Sequence, residues 1–212
     1  MKNKRKYIKH FNPCVEIFDK KQHKDFLSKF DCGKYNFNIY ISSNEVVEDM
    51  RSGDGVTHLV FDKPTFGRKK LVAYYTLIAT SIPYNSKLLL EPEDVVDPAN
   101  PYIELTYGVN AIQIKMFAVD KNYQDLFFKH GGFDMPISAW VFQSIIDSID
   151  DISEQVCGVK AIILHAVADA EKFYLKNEFN YTEKHMEPFA SDDDDLRTMF
   201  FKLREINIPS DD

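Results

Sequence analysis

The sequence predicts a mixed α/β domain built around one central sheet, and three features carry that expectation. Segments rich in β-formers alternate with segments of helical periodicity along most of the 212 residues. Apolar residues at Ile137, Trp140, Val141, Ile145, Ile149, Ile152 and Val156 recur at steps of three and four, which defines one face of a long helix. Lys160–Val167 is a continuous apolar run, the pattern of a strand buried on both faces.

Taken in order, Cys14–Phe18 alternates as a short strand, and Phe26, Leu27 and Phe30 mark a helix over His23–Phe30. Asp31-Cys32-Gly33 stops it. Phe37–Met50 fits a second helix, weakened at Ser42-Ser43-Asn44, and Ser52-Gly53-Asp54-Gly55 is a turn. Val56–Asp62 and Lys70–Ser81 read as an antiparallel pair across Lys63-Pro64-Thr65-Phe66-Gly67. Between Ile82 and Tyr107 stand Pro83, Pro92, Pro98 and Pro101 with acids Glu91, Glu93, Asp94 and Asp97, so residues 82–108 are expected to leave the sheet as an insertion. Ala111–Asp120 resumes a strand. The long helix from Ile137 ends at Gly158, a second helix covers Asp169–Asn177, and Tyr181–Lys184 and Leu196–Glu205 complete the strands around an acidic loop, Ser191–Asp195.

Length and composition bound the possibilities. At this size one domain over residues 1–212 is expected. Hydrophobic residues at 44% and charged residues at 28% describe a soluble globular chain, and no apolar run is long enough to span a membrane. Without a secretion signal the expected location is cytoplasmic. Cys14, Cys32 and Cys157 have no C-x-x-C spacing, so they are expected as buried, reduced thiols, and no metal site is expected. Net charge is −7, although Lys2, Lys4, Arg5, Lys6 and Lys9 make the first residues basic; residues 1–12 are expected as a mobile tail. The acidic remainder disfavours a nucleic-acid partner.

Four local segments stand out in order along the chain: Phe30-Asp31-Cys32-Gly33, the strand Leu71-Val72-Ala73-Tyr74-Tyr75-Thr76-Leu77, the segment Phe117-Ala118-Val119-Asp120-Lys121-Asn122-Tyr123-Gln124, and Leu164-His165-Ala166-Val167 running into Ala170-Glu171-Lys172-Phe173-Tyr174 and on to Phe179. Together they resemble the GNAT acetyltransferase family and its subgroup that includes acetyltransferase toxins. The resemblance implies the acyl-CoA N-acyltransferase fold, with a mixed central sheet flanked by helices. It departs at the pyrophosphate loop. The family's Q/R-x-x-G-x-G/A stretch runs directly into a helix, whereas here Gln124 is followed by a longer segment holding Gly131 and Gly132 before Ile137-Ser138-Ala139.

What the resemblance implies is acetyl transfer from acetyl-CoA, as co-substrate, to a primary amine through a tetrahedral intermediate. Phe117, Ala118, Val119, Gln124, Ser138 and Ala139 are then the cofactor-binding candidates and Tyr174 the acid that protonates the departing thiolate. The acceptor is a small-molecule, peptide or aminoacyl amine; a tRNA acceptor is disfavoured by charge, a homodimer is left open, and no membrane partner is expected. Each residue also has a plainer role: Tyr174 as a core tyrosine beside Phe173, Gln124 as the start of a surface loop, Gly131 and Gly132 as part of a flexible insertion, His165 as a core histidine rather than a general base, Trp140 as packing. Asp192–Asp195 reads as a solvated loop. The alternatives are a non-catalytic binding or regulatory protein on the same fold and, from the subgroup resemblance, a toxin that acetylates aminoacyl-tRNA.

Overall fold

The structure, a computed structural model, describes residues 5–64, 66–182 and 196–206. In chain order the elements are β1 (Lys6–Tyr7), β2 (Pro13–Ile17), α1 (Lys20–Leu27), α2 (Tyr35–Ser42), α3 (Glu45–Ser52), β3 (Val56–Asp62), β4 (Lys70–Leu89), β5 (Tyr102–Val119), β6 (Leu126–His130), β7 (Phe133–Pro136), α4 (Ile137–Gln155), β8 (Ala161–Val167), α5 (Glu171–Lys176), β9 (Asn180–Tyr181) and β10 (Leu196–Lys202). The chain divides into two compact units, Met1–Ile78 with Ile114–Ser148, and Ala79–Gln113 with Ile149–Asp212. Of the expected strand Tyr181–Lys184 only the first two residues fall among those described, and the acidic run Asp192–Asp195 lies outside them.

In the first unit the strands run in the order β2-β3-β4-β5, with β3 antiparallel to both β2 and β4. Alternation along β3 sends Leu59 and Phe61 to the same face, where they join Tyr74 and Ala118 in a core closed by Phe18, Leu27, Phe30, Tyr40, Ile41 and Val46 from the helical segments. Full burial of one such side chain contributes about 1.5–3 kcal/mol, so these positions hold α1, α2 and α3 on the sheet. Asp19 starts α1: its carboxylate accepts from the backbone N–H of Lys21 at 2.9 Å and of Gln22 at 2.8 Å. The single helix expected over Phe37–Met50 is two. Ser43 is extended (φ −77°, ψ −178°), and Lys20 donates to the Ser43 carbonyl at 3.1 Å and to Asn44 Oδ1 at 2.6 Å, holding the break from a distant point in the chain.

The segment expected as a flexible loop is a hairpin. β6 pairs antiparallel with β7, and Gly131 and Gly132 between them have φ of +55° and +87°, the two left-handed positions a two-residue turn demands. The N-terminal tail is not free where it is described: β1 adds parallel to β6, and Asp134 accepts from Tyr7 Oη at 2.6 Å and pairs with Arg5 at 3.3 Å and with Lys129. Phe11 then lies edge-on to Phe128 and Trp140 at 5.1 and 5.4 Å, so hairpin, arm and the start of α4 share one aromatic cluster.

In the second unit the order is β4-β5-β8-β10-β9, with β10 antiparallel to β8 and β9. Residues 82–89 and 102–108, expected to leave the sheet, are instead the arms by which β4 and β5 continue. Leu90 N–H donates to the Pro101 carbonyl at 2.8 Å and Thr106 Oγ1 to Asn85 Oδ1 at 2.9 Å, tying the arms together. Pro92 and Pro98 sit in the connecting turn, where no ladder hydrogen bond is lost. Ile82, Val109, Ala111, Ala161, Ile163 and Phe200 form the unit's core. Along α4, Ile137, Val141, Ile145 and Ile149 are fully buried, as their spacing predicts. Val156 and Cys157 lie past its end and are exposed, which corrects the expectation that all three thiols are buried; Cys32 is buried and Cys14 half-buried.

Candidate active site

In the first unit the end of β5 is the organising feature. Phe117 turns toward α4, its ring 5.3 Å from Phe142, while Ala118 and Met116 face the core on the α1 side. Ala118 and Val119 are buried. The ladder ends at Asp120, whose N–H donates to the Val72 carbonyl at 2.8 Å. The Asp120 carboxylate is 5% exposed and accepts from Asn122 N–H at 2.9 Å, Asn122 Nδ2 at 2.8 Å and Asp31 N–H at 3.1 Å.

These bonds join the strand end to the Asp31-Cys32-Gly33 turn. Asp31 in turn accepts from Lys121 Nζ at 2.5 Å, Gly33 N–H at 2.8 Å and Asn38 Nδ2 at 2.9 Å, and the Lys121 bond in particular pulls its carboxyl down to about 2. Gln124 completes the junction, its Nε2 donating to the Cys32 carbonyl at 2.9 Å and to the Val119 carbonyl at 2.8 Å. Its amide therefore binds protein, and the Val119 carbonyl is already an acceptor. Asp31, Asp120 and Asn38 were not singled out from the sequence. The one local signal is Asp two residues before Gly33 and before Asn122, the pattern in which a carboxylate takes its own neighbours' backbone N–H groups.

Ser138 and Ala139 occupy the first turn of α4 and are half-buried, and that turn contains no acidic residue. The positive end of a 19-residue helix is thus left without the carboxylate that usually sits there. Gly131 and Gly132 are not part of it, because β7 separates them from Ile137.

In the second unit Tyr174 stands on α5, 9% exposed, with its ring 5.4 Å from Phe173 and 6.0 Å from Phe179. Burial pushes its phenol well above the ordinary tyrosine range, so it is protonated throughout the neutral range. His165 lies opposite Thr198 in the β8–β10 ladder, with Nδ1 2.9 Å from Thr198 Oγ1, and burial lowers its pKa. The Thr198 hydroxyl is a partner of the ring there.

No protein-family model matches the sequence, and neither does any curated protein. Solved structures do match, over almost the whole chain. A bacterial toxin aligns with a TM-score of 0.60 at 16% identity, covering 92% of both chains. AtaTR bound with acetyl-CoA aligns at 0.59 and 16%, covering 90% of this chain and 93% of that one. AtaT complexed with acetyl-methionyl-tRNAfMet aligns at 0.54 and 18%, covering 90% and 95%. The chain has the acyl-CoA N-acyltransferase fold.

In the first unit the end of β5 is followed in sequence by the β6–β7 hairpin and then by the acid-free first turn of α4, whose backbone N–H groups give that helix a positive terminus. No helix among the described residues is long and apolar enough to cross a membrane, and among them no group of three or more His, Cys, Asp or Glu side chains could hold a metal ion.

Proposed function

We propose that the chain is an N-acetyltransferase using acetyl-CoA, and that its acceptor is the amino group of an aminoacyl-tRNA. The observations that carry the first part are the end of β5, with Phe117 5.3 Å from Phe142 of α4, and the acid-free first turn of that helix, on a fold matched over about nine-tenths of the chain by AtaTR bound with acetyl-CoA. Acetyl-CoA supplies an activated thioester. The backbone of Phe117, Ala118 and Val119 holds the pantetheine arm, and the N–H groups of Ser138 and Ala139 face the diphosphate. The acceptor nitrogen bonds to the carbonyl carbon, the carbon–sulfur bond breaks, and the thiolate takes a proton for which the Tyr174 phenol is the candidate donor; the proton the nitrogen loses passes through solvent and restores the phenol. The buried phenol keeps that proton available at every pH near neutrality.

The acceptor is supported by charge. A net −7 conceals an uneven division: the first unit has 18 Lys and Arg against 13 Asp and Glu, the second 8 against 20. A basic unit meets the electrostatic need of an RNA partner that the chain-wide total disguises. The complex of AtaT with acetyl-methionyl-tRNAfMet has that product class in a structure of the same fold.

Isothermal titration with acetyl-CoA tests the first part; absence of heat, with no thermal protection, selects a non-catalytic binding protein instead. Tyr174→Phe should lower kcat roughly 10²-fold with unchanged acetyl-CoA affinity, and unaltered turnover would remove Tyr174 from the reaction. Acetylation of free amines with no activity on aminoacyl-tRNA would overturn the acceptor.

A further inference from the structure

On the α1 side of the first unit a cavity of about 920 Å³ opens among α1, the start of β4 and the turn after β5. It lies away from the α4 side: Phe26, Phe30 and Leu71, which line it, belong to the core that contains Ala118, whereas Phe117 faces Phe142 on α4. Its volume is in the range that holds an organic ligand of several rings and charges.

The lining is segregated. Phe26, Phe30, Leu71 and Tyr123 give an apolar, largely aromatic floor, and Lys29, Arg68 and Lys70 are exposed cations at its margin. Among the described residues none of these three cations has a carboxylate partner. Lys69, between them in sequence, does: its Nζ is 2.6 Å from both Glu16 oxygens and 4.1 Å from the Phe61 ring centre, so it closes the floor. Of the acids in the lining, Asp62 accepts from Asn12 N–H at 3.0 Å and Asp120 from its three donors, while Asp25 stands on α1 a turn before Lys29. Lys29, Arg68 and Lys70 therefore stand over a lining that also holds the carboxylates of Asp25, Asp62 and Asp120, the last buried and already accepting from three N–H groups.

We propose that this cavity binds a nucleoside phosphate, the base lying on the Phe26–Phe30 floor and the phosphate taken by Lys29, Arg68 and Lys70. A phosphate group offers three acceptor oxygens and up to two charges, which matches cations arriving from two separate elements better than a carboxylate does. An aromatic base matches the floor, where stacking on aromatic rings contributes about 1–3 kcal/mol per base. The site stands whether or not the chain transfers acetyl groups.

The nucleotide end of CoA shares this chemistry, so the experiment separates the two sources. AMP is titrated calorimetrically into the full chain with and without excess acetyl-CoA. One AMP per chain, bound equally in both conditions, is expected; displacement by acetyl-CoA would assign the nucleotide to the transfer site and overturn the proposal. Adenosine should bind at least ~10-fold more weakly than AMP, and Arg68→Ala/Lys70→Ala should weaken AMP roughly 10–100-fold with an unchanged melting temperature. Lys87→Ala, on β4 in the other unit, should leave AMP binding intact. Equal binding of adenosine and AMP, no AMP binding, or wild-type affinity in the double variant would each refute the site.

Discussion

The two units use their carboxylates in opposite ways. In the first, Asp31, Asp49 and Asp120 are hydrogen-bonded into the fold, Asp120 at 5% exposure and Asp49 receiving both Tyr40 Oη at 2.8 Å and Lys115 Nζ at 2.6 Å. In the second, the described acids lie at the surface in simple pairs, such as Lys87 with Glu104 at 3.5 Å and Arg204 with Asp150 and Glu154. The basic unit thus uses these carboxylates to join loops, while those described pairs of the acidic unit lie open to solvent. The difference teaches that charge count and structural role are independent here, and it can be broken by removing one acid at a time.

The largest effect is expected at Asp120. Replacing it with alanine removes the charged acceptor of the part-buried bonds from the Asp31 and Asn122 N–H groups, and a hydrogen bond to a charged group contributes about 1.5–3 kcal/mol. A loss of about 3 kcal/mol in unfolding free energy, read from the shift of the denaturant midpoint, is the expected outcome for Asp120→Ala. Asp120→Asn keeps one acceptor oxygen and should recover part of that loss. If Asp120→Ala shifts the midpoint no more than an exposed acid of the second unit does, the contrast between units fails at its strongest point.

The comparison sharpens at Gln124, where a neutral side chain serves the same junction. Gln124→Ala removes two donors, those to the Cys32 and Val119 carbonyls, and should cost about 1 kcal/mol. Its diagnostic reading is local: amide exchange at Cys32, Gly33 and Asp120 should quicken while the β8–β10 ladder stays protected. Equal quickening in both regions would show that Gln124 supports the whole chain and not the strand end.

How much of this was legible in the sequence follows from how far each feature reaches along the chain. The period of α4 and the apolar run of β8 are local, and both appear where they were expected. The break between α2 and α3 showed only as a weak stretch at Ser42-Ser43-Asn44, because Lys20 makes it from more than twenty residues away. The arms of β4 and β5 were mistaken for an excursion because most of their residues are exposed, so no apolar alternation marks them as strands. The pairing of β1 with β6 joins residues about 120 apart through a strand too short to have a period. At the candidate site, Phe117–Val119 was found as a strand from its composition, but the Asp31, Asp120 and Gln124 bonds join segments about ninety residues apart, and only the Asp31–Gly33 and Asp120–Asn122 spacings hint at them locally. In the second unit the packing of Tyr174 against Phe173 joins neighbours in sequence, and a tyrosine beside Phe173 in the core was legible from the helical spacing.

The smallest effect is expected at Arg204. Its guanidinium pairs with Asp150 at 2.7 Å and Glu154 at 3.0 Å, with all three side chains more than a third exposed. In such a setting solvent and salt screen the attraction, and the side chains lose rotamer freedom to hold it, so a surface pair contributes roughly 0–1 kcal/mol. Arg204→Ala should therefore lower stability by less than about 0.5 kcal/mol, and that loss should vanish in high salt. The Asp120 loss should persist at the same salt concentration, because a buried acceptor for backbone N–H groups is not replaced by ions. The salt arm is what makes the pair of variants decisive: similar salt responses at Arg204 and Asp120 would mean that one kind of electrostatics runs through both units, whatever the burial of the groups.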